Sequence, residues 1–440
     1  MRRKSITRRQ VALLGGSTTW GDCAVAAYYF VNRRTLVNGP VIDAYERAFA
    51  DLVGVQHACS FSAARVGLYM TLRALEIGHG DDVLLQVPTH VVVANAIGYA
   101  GARPVYVDCR PMDCNIDFDQ AEKRVGPRTK ALILQHTFGL PGDLEVALDF
   151  CRRHRLVLLE DCVHALGATY AGKPVGSFGR AAFFSTEETK TISTTMGGMV
   201  VTNDDDLAAR LRHLQKGCGS PSASSVRRLL LKLSIYHALS TPSIHWYARA
   251  LFEGMGSRNP LPGPTTPEER RGQRPRGYEQ RLSNAQAALG LRQLKRIVSN
   301  ISHRRAVASD YDVRLSAFGI DPLQPVKDAD PAFVRYPVWV QDREKAARAI
   351  ARHTVVGRWF TSVLEESDSP SVAGYDAGSC PVAEAAATHL INLPTHPRVS
   401  IEDIDAITRA LGRAVGDRGY WKDGCVRSSS PGSFRPEARE

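Results

Sequence analysis

Between Leu52 and about Asp204 the chain alternates short, almost unbroken apolar runs with segments whose apolar residues recur at helical spacing. The runs predict strands at Val83–Val87, Val105–Val107, Ala131–Gln135, Val157–Glu160, Ala181–Phe184 and Met199–Thr202. Helical spacing falls between them, at Gly67–Leu75, Phe118–Val125 and Val146–His154. Strands that are apolar on both faces and alternate with helices are the pattern of a mostly parallel sheet covered on each side. The expected fold class is α/β. Ligands of such sheets gather beyond the carboxyl ends of strands. Asp161 directly follows one strand run and Ser185 closes another, so both belong at that edge.

Farther along, the pattern changes. Residues 205–215 predict a helix that Gly217, Gly219 and Pro221 terminate. Val226 to Phe252 is apolar around much of its circumference, with Arg227, Arg228 and Lys232 at one end. Pro260 to Pro275 reads as a mobile loop rich in Pro, Gly and charge. A long helix is expected from about Ser283 to Val307, then a smaller α+β region to about Leu411. The polar stretch Gly419–Glu440 predicts disorder. This divides the chain into a basic N-terminal segment (1–38), a large domain (39–215), and a basic, apolar helical insertion with its loop (216–282). A long helix with a small C-terminal domain (283–417) and a tail (418–440) complete it.

With 44% hydrophobic and 23% charged residues, the composition suits a folded globular protein and excludes global disorder. The net charge of +11 is concentrated. Residues 1–34 hold seven Arg or Lys against one Asp, and residues 216–281 hold eleven against four Glu. No recognition-helix or aromatic-interleaved basic motif accompanies them, so no nucleic acid is expected. Anionic substrates such as nucleotide diphosphates, or an acidic membrane surface, account for the charge equally well. The nine cysteines form no CxxC pair and show no zinc spacing, which suits a reduced, cytoplasmic setting without a metal site. No run of eighteen apolar residues is present, and the apolar part of MRRKSITRRQVALLGG is too short for an export signal.

The chemistry concentrates in Ser185-Thr186-Glu187-Glu188-Thr189-Lys190, between the last two strand runs. A lone lysine in a hairpin loop is usually solvated. Held at a strand end and desolvated, it becomes a neutral amine able to attack a carbonyl. The carboxylate of Leu158-Leu159-Glu160-Asp161 is the feature that makes the second reading worth weighing. Taken alone, Asp161 could equally cap a helix.

The string EDCVHALGATYAGKPVGSFGRAAFFSTEETKTISTTMGGMVVTND resembles, in order and spacing, the DegT/DnrJ/EryC1/StrS family of pyridoxal-phosphate-dependent sugar aminotransferases. The resemblance extends from about Gly39 to about Leu411. It implies fold type I of the pyridoxal-phosphate transferases, with a smaller C-terminal α+β domain. It also implies transamination of a keto-sugar nucleotide, glutamate as amino donor, and a homodimer. Residue by residue, Lys190 aligns with the Schiff-base lysine and Asp161 with the carboxylate on the pyridine nitrogen. His164 takes the Gln/His position near the ring hydroxyl, and Ser185 that of the phosphate-binding serine. The first phosphate turn lacks its usual glycine in Cys59-Ser60-Phe61-Ser62-Ala63-Ala64-Arg65. Backbone amides of Ala64 and Arg65, with the Arg65 charge, are expected to serve instead. His90 aligns with the aromatic that stacks on the cofactor ring; its alternative is plain packing.

Two departures stand out. Glu279 occupies the position of a phosphate-binding Asn, where it would repel phosphate unless Arg281 or Arg276 neutralises it. Thr195-Met196-Gly197-Gly198 replaces the common G-E-G-G. These changes keep open a non-catalytic or regulatory relative of the same fold. A dehydratase-type branch of the family carries histidine where this chain has Lys190. For Val226–Phe252 two readings stand: structural helices at a dimer interface or over the site, and a peripheral contact with an acidic membrane.

Overall fold

The computed structural model describes residues 9–13, 16–254 and 264–415. The tail expected to be disordered, and part of the loop expected at 260–275, lie outside these residues.

Seven strands build the main sheet: β1 (His57–Phe61), β2 (Asp82–Gln86), β3 (Arg103–Val107), β4 (Thr129–Gln135), β5 (Val157–Asp161), β6 (Ala181–Ser185) and β7 (Gly198–Thr202). Their order is β1-β7-β6-β5-β4-β2-β3. Only β7 runs against its neighbours, pairing antiparallel with β1 and β6. The near-continuous apolar runs follow from burial on both faces. Val83, Leu85, Ile133, Leu159, Phe183 and Val200 join one core. Leu84, Leu132, Leu134, Leu158, Phe184 and Met199 join the other.

Five helices and a hairpin loop matter for the site. Helix α1 (Trp20–Val31) lies in the N-terminal segment, and α2 (Val41–Val53) begins the large domain. Helix α3 (Ala64–Ala74) follows β1, and α4 (Val91–Tyr99) follows β2. Helix α5 (Asn284–Leu294) packs behind the loop that joins β6 to β7. The smaller domain has its own core, in which Tyr311, Tyr336, Val338, Ile391, Leu393, Ile407 and Leu411 are buried. Val11 of the N-terminal segment is buried in that same core and bridges to Thr354, so the described part of this segment packs into the fold.

Two expectations need correction, and a third is met. The long helix predicted from Ser283 to Val307 is two helices, α5 and α6 (Ile297–Ser316). The break falls at Lys295–Arg296, which lets α5 face the main sheet while α6 serves the smaller domain. The described part of the predicted mobile loop, residues 264–275, is ordered by a helical turn at Pro267–Arg270. There Thr266 and Glu269 form a reciprocal capping box, and Glu269 is buried. The apolar insertion is a helical pair, α7 (Ala223–Leu239) and α8 (Pro242–Gly254). Val226, Leu230 and Leu233 of α7 pack with Ala26 of α1, Leu36, and Ala285 and Leu289 of α5.

Candidate active site

Strand β5 delivers Asp161 fully buried at the sheet's carboxyl edge. The Val163 N–H donates to its Oδ1 at 3.1 Å, and Oδ2 has no partner among the described residues. Burial raises this carboxyl to about 7, against the pull of Lys190. A buried carboxylate oxygen left without a donor is costly unless a ligand completes it.

The loop between β6 and β7 is tied to itself and to α5. The Thr186 N–H donates to the Gly197 carbonyl at 2.9 Å, and the Thr194 N–H to the Thr186 carbonyl at 2.8 Å. From α5, Gln293 accepts from the Ser193 N–H at 2.8 Å, and Gln286 donates to the Met196 carbonyl. Gly198 is required by close approach: a Cβ there would lie 2.2 Å from the Ala64 nitrogen. This frame holds Lys190 at the cavity wall, its Nζ 4.4 Å from the centre of the Trp359 ring. Desolvation lowers the amine to about 8, opposed by Glu187.

The cavity, about 140 Å³, brings Ala64, Arg65, His90, Asp161, His164, Ser185 and Lys190 together on its lining. Each of the seven was expected at the site. Their individual states differ from the expectation in one respect. No side chain caps α3, so its first amides, at Ala64 and Arg65, open toward an anion. The Arg65 guanidinium, however, is engaged: Nε pairs with buried Glu269 at 2.9 Å, and a terminal nitrogen donates to the Pro264 carbonyl at 2.7 Å. Its charge is thus largely neutralised within the chain. His90 caps α4, accepting from the Val92 N–H at 3.3 Å, while its ring remains on the lining. Ser185 Oγ accepts from the Glu187 N–H at 3.3 Å. His164 stacks on Trp359, with ring centres 4.5 Å apart, and its Nδ1 has no partner among the described residues. Burial, Lys190 and Arg335 hold this imidazole neutral.

Glu279 is neutralised from a different side than expected. Arg274 lies 3.2 Å and Arg73 3.8 Å from its carboxylate, whereas Arg281 donates to Ser220. Three cavity or near-cavity residues escaped the sequence reading: Trp359, Glu366 and Arg335. They come from the smaller domain, where no strand-end pattern marks them. A buried group of potential metal ligands, His136, Glu160 and Cys162, also went unnoticed. The ligand atoms of Glu160 and His136 are already committed. Glu160 accepts from the Gly176, Phe178 and Gly179 amides, and His136 bridges Glu160 and the Gly142 N–H.

The donor set fits pyridoxal phosphate: an orphan buried carboxylate oxygen for a pyridinium N–H, a desolvated amine, and uncapped helix amides for a phosphate. Fold and site together define a pyridoxal-phosphate-dependent transaminase. The chain belongs to the DegT/DnrJ/EryC1/StrS aminotransferase family, whose sequence profile matches residues 25–412. GDP-perosamine synthase from Caulobacter vibrioides is 32% identical over 382 residues, 86% of this chain and 91% of that protein. The GDP-perosamine synthase of Escherichia coli O157:H7 is 28% identical over 388 residues, 86% and 92% of the two chains. Among solved structures, DesV of S. venezuelae superposes with a TM-score of 0.70 at 26% identity, covering 90% of this chain and 94% of its own.

Proposed function

We propose that the protein transfers an amino group from an amino acid, glutamate first among candidates, to the carbonyl of a keto-sugar nucleotide. We infer further that it does so as a cytoplasmic homodimer. The observation that carries the reading is the pairing of the orphan Asp161 Oδ2 with the desolvated Lys190 amine in one cavity. The sugar nucleotide is supported by the perosamine synthases that match most of the chain, so GDP-linked keto sugars are the first to assay.

Bound here, pyridoxal phosphate supplies an aldehyde and an electron-accepting ring. Asp161 Oδ2 would hold the proton on the ring nitrogen. The Lys190 amine would take the proton from the substrate carbon and deliver it across the nitrogen to the carbon that the aldehyde supplies. The α3 amides and Ser185 would hold the phosphate, His90 would cover the ring, and His164 Nδ1 would meet the ring hydroxyl. The close partners of Glu279 remove the repulsion that favoured a non-catalytic relative.

Mass-spectrometric detection of amino-sugar formation from GDP-linked keto sugars and glutamate tests the reading. Borohydride should fix the cofactor on Lys190, and Lys190→Ala should abolish turnover while leaving the fold intact. Label on another lysine, or none after reconstitution, would overturn it.

A further inference from the structure

Two arginines are buried where the smaller domain meets the site, and the fold treats them in opposite ways. Arg304 is almost fully surrounded by acceptors: Asn300 Oδ1, the Val334 carbonyl, and the hydroxyls of Thr395 and Ser17. Arg335 is 4% exposed and has no hydrogen-bond acceptor among the described residues. Its Nε is fully enclosed and unpartnered. Glu187 and Glu365 act on it only through space, and burial lowers the guanidinium to about 9. A guanidinium presents five N–H donors in a rigid fork, so an enclosed Nε–H with no acceptor is expensive, and the terminal nitrogens, which meet no acceptor among the described residues, are left for one from outside. Structural arginines are given partners, as Arg304 is.

The position is also built to be fixed. The Val334 N–H donates to the Phe138 carbonyl at 3.0 Å, and Tyr336 pairs with Leu393 in the smaller domain's sheet. The guanidinium carbon lies 3.4 Å from the centre of the Trp359 ring, the indole over which Lys190 Nζ also lies. Trp359 lines the cavity.

We propose that Arg335 is the anchor for the α-carboxylate of the amino donor. This rests on the amino-acid donor of the proposed function. A planar fork matches a carboxylate bidentately, and a nucleotide diphosphate offers oxygens of similar chemistry. Geometry chooses between them. An amino acid carries its nitrogen and its carboxylate on the same carbon, so an amine reacting at Lys190 brings the carboxylate to within a few bonds of it. The diphosphate of a sugar nucleotide stands off the reacting carbon by the width of the sugar ring. A guanidinium sharing one indole with the reacting amine suits the nearer group.

The test is equilibrium binding to the holoenzyme of 2-methyl-L-glutamate, which lacks the hydrogen that transamination removes, followed through the near-visible absorbance of the cofactor. GDP binding, followed by calorimetry, is the second arm. Arg335→Gln should weaken 2-methylglutamate about a hundredfold, and Arg335→Lys by less, because a point charge replaces the fork. GDP affinity and the absorbance of the unliganded holoenzyme should match wild type. Binding of 2-methylglutamate within threefold of wild type overturns the assignment. So does a loss that falls on GDP, which would give the arginine to the nucleotide, or a loss of cofactor absorbance, which would make its role structural. A wild-type enzyme that binds and transaminates no α-amino acid would overturn the donor reading itself, and the anchor with it.

Discussion

A lysine amine lowered to about 8 is mostly protonated at pH 6.5 and mostly neutral at pH 9. Only the neutral form attacks an aldehyde, so cofactor capture by the apoprotein should accelerate as pH rises and level off above about 8. An ordinary lysine would keep accelerating toward its usual value above 10. Stopped-flow loading at several pH values reads this directly; a midpoint near 10 would show that the amine is solvated. At Asp161, replacement by Asn removes the charge that, in the proposed function, would hold the ring-nitrogen proton. The expected fall in kcat is about a hundredfold or more, roughly 3 kcal/mol. Turnover close to wild type would reduce Asp161 to a cap for the Val163 amide. Asp161 was legible because it ends a strand that hydrophobic patterning locates, and Lys190 because it lies in the loop that joins two such strands. Arg335, Trp359 and Glu366 were not, since long-range packing carries them in from a domain whose strands are short. Arg65 illustrates a different limit. Its place at the helix start was legible, but its neutralisation by Glu269 depends on a loop two hundred residues away.

Elements show the same division between local and distant causes. Strands β2 to β7 were legible because burial on both faces leaves an unbroken apolar signature. Strand β1 escaped, since its Ser60 interrupts the run and is buried only because Glu46 accepts from its hydroxyl and amide. Helix α7 has a role that its composition concealed. Its Lys232 pairs with Glu188 at 2.9 Å, two residues before Lys190, and its Leu229 carbonyl accepts from Thr195 at 3.2 Å. The insertion therefore braces the cofactor loop from behind. Burial and Glu187 push the Glu188 carboxyl up to about 7, while Lys232 pulls it down. Lys232→Ala should thus destabilise the fold by about 2 kcal/mol at pH 8, where Glu188 is ionised and has lost its cation. At pH 5 the protonated carboxyl needs no cation, and the deficit should shrink. Urea denaturation at both pH values checks the sign; an equal loss at each would mean that packing alone had been removed.

On the scale of the whole molecule, the surface made by α1 and α7 is the feature that the folded chain leaves unexplained. Trp20, Tyr28 and Val31 on α1 are more than half exposed, and Leu231 and Ile235 on α7 join them. Single exposed apolar residues are ordinary, but a group of them on two packed helices marks a contact. No helix among the described residues is long and apolar enough to cross a membrane. The inner side of α7 is already buried in the chain, which limits what remains for lipid. A second copy is the occupant we expect, because the same helices brace the cofactor loop and an interface there would stiffen it. Sedimentation velocity should show a dimer, and Leu231→Glu with Ile235→Glu should shift it toward monomer by placing carboxylates in an apolar contact. Flotation with neutral or anionic vesicles should recover no protein. Should anionic vesicles carry the wild-type protein, and the double variant lose them while staying dimeric, the face belongs to the membrane. The excess of Arg and Lys in residues 216–281 would then be its electrostatic half.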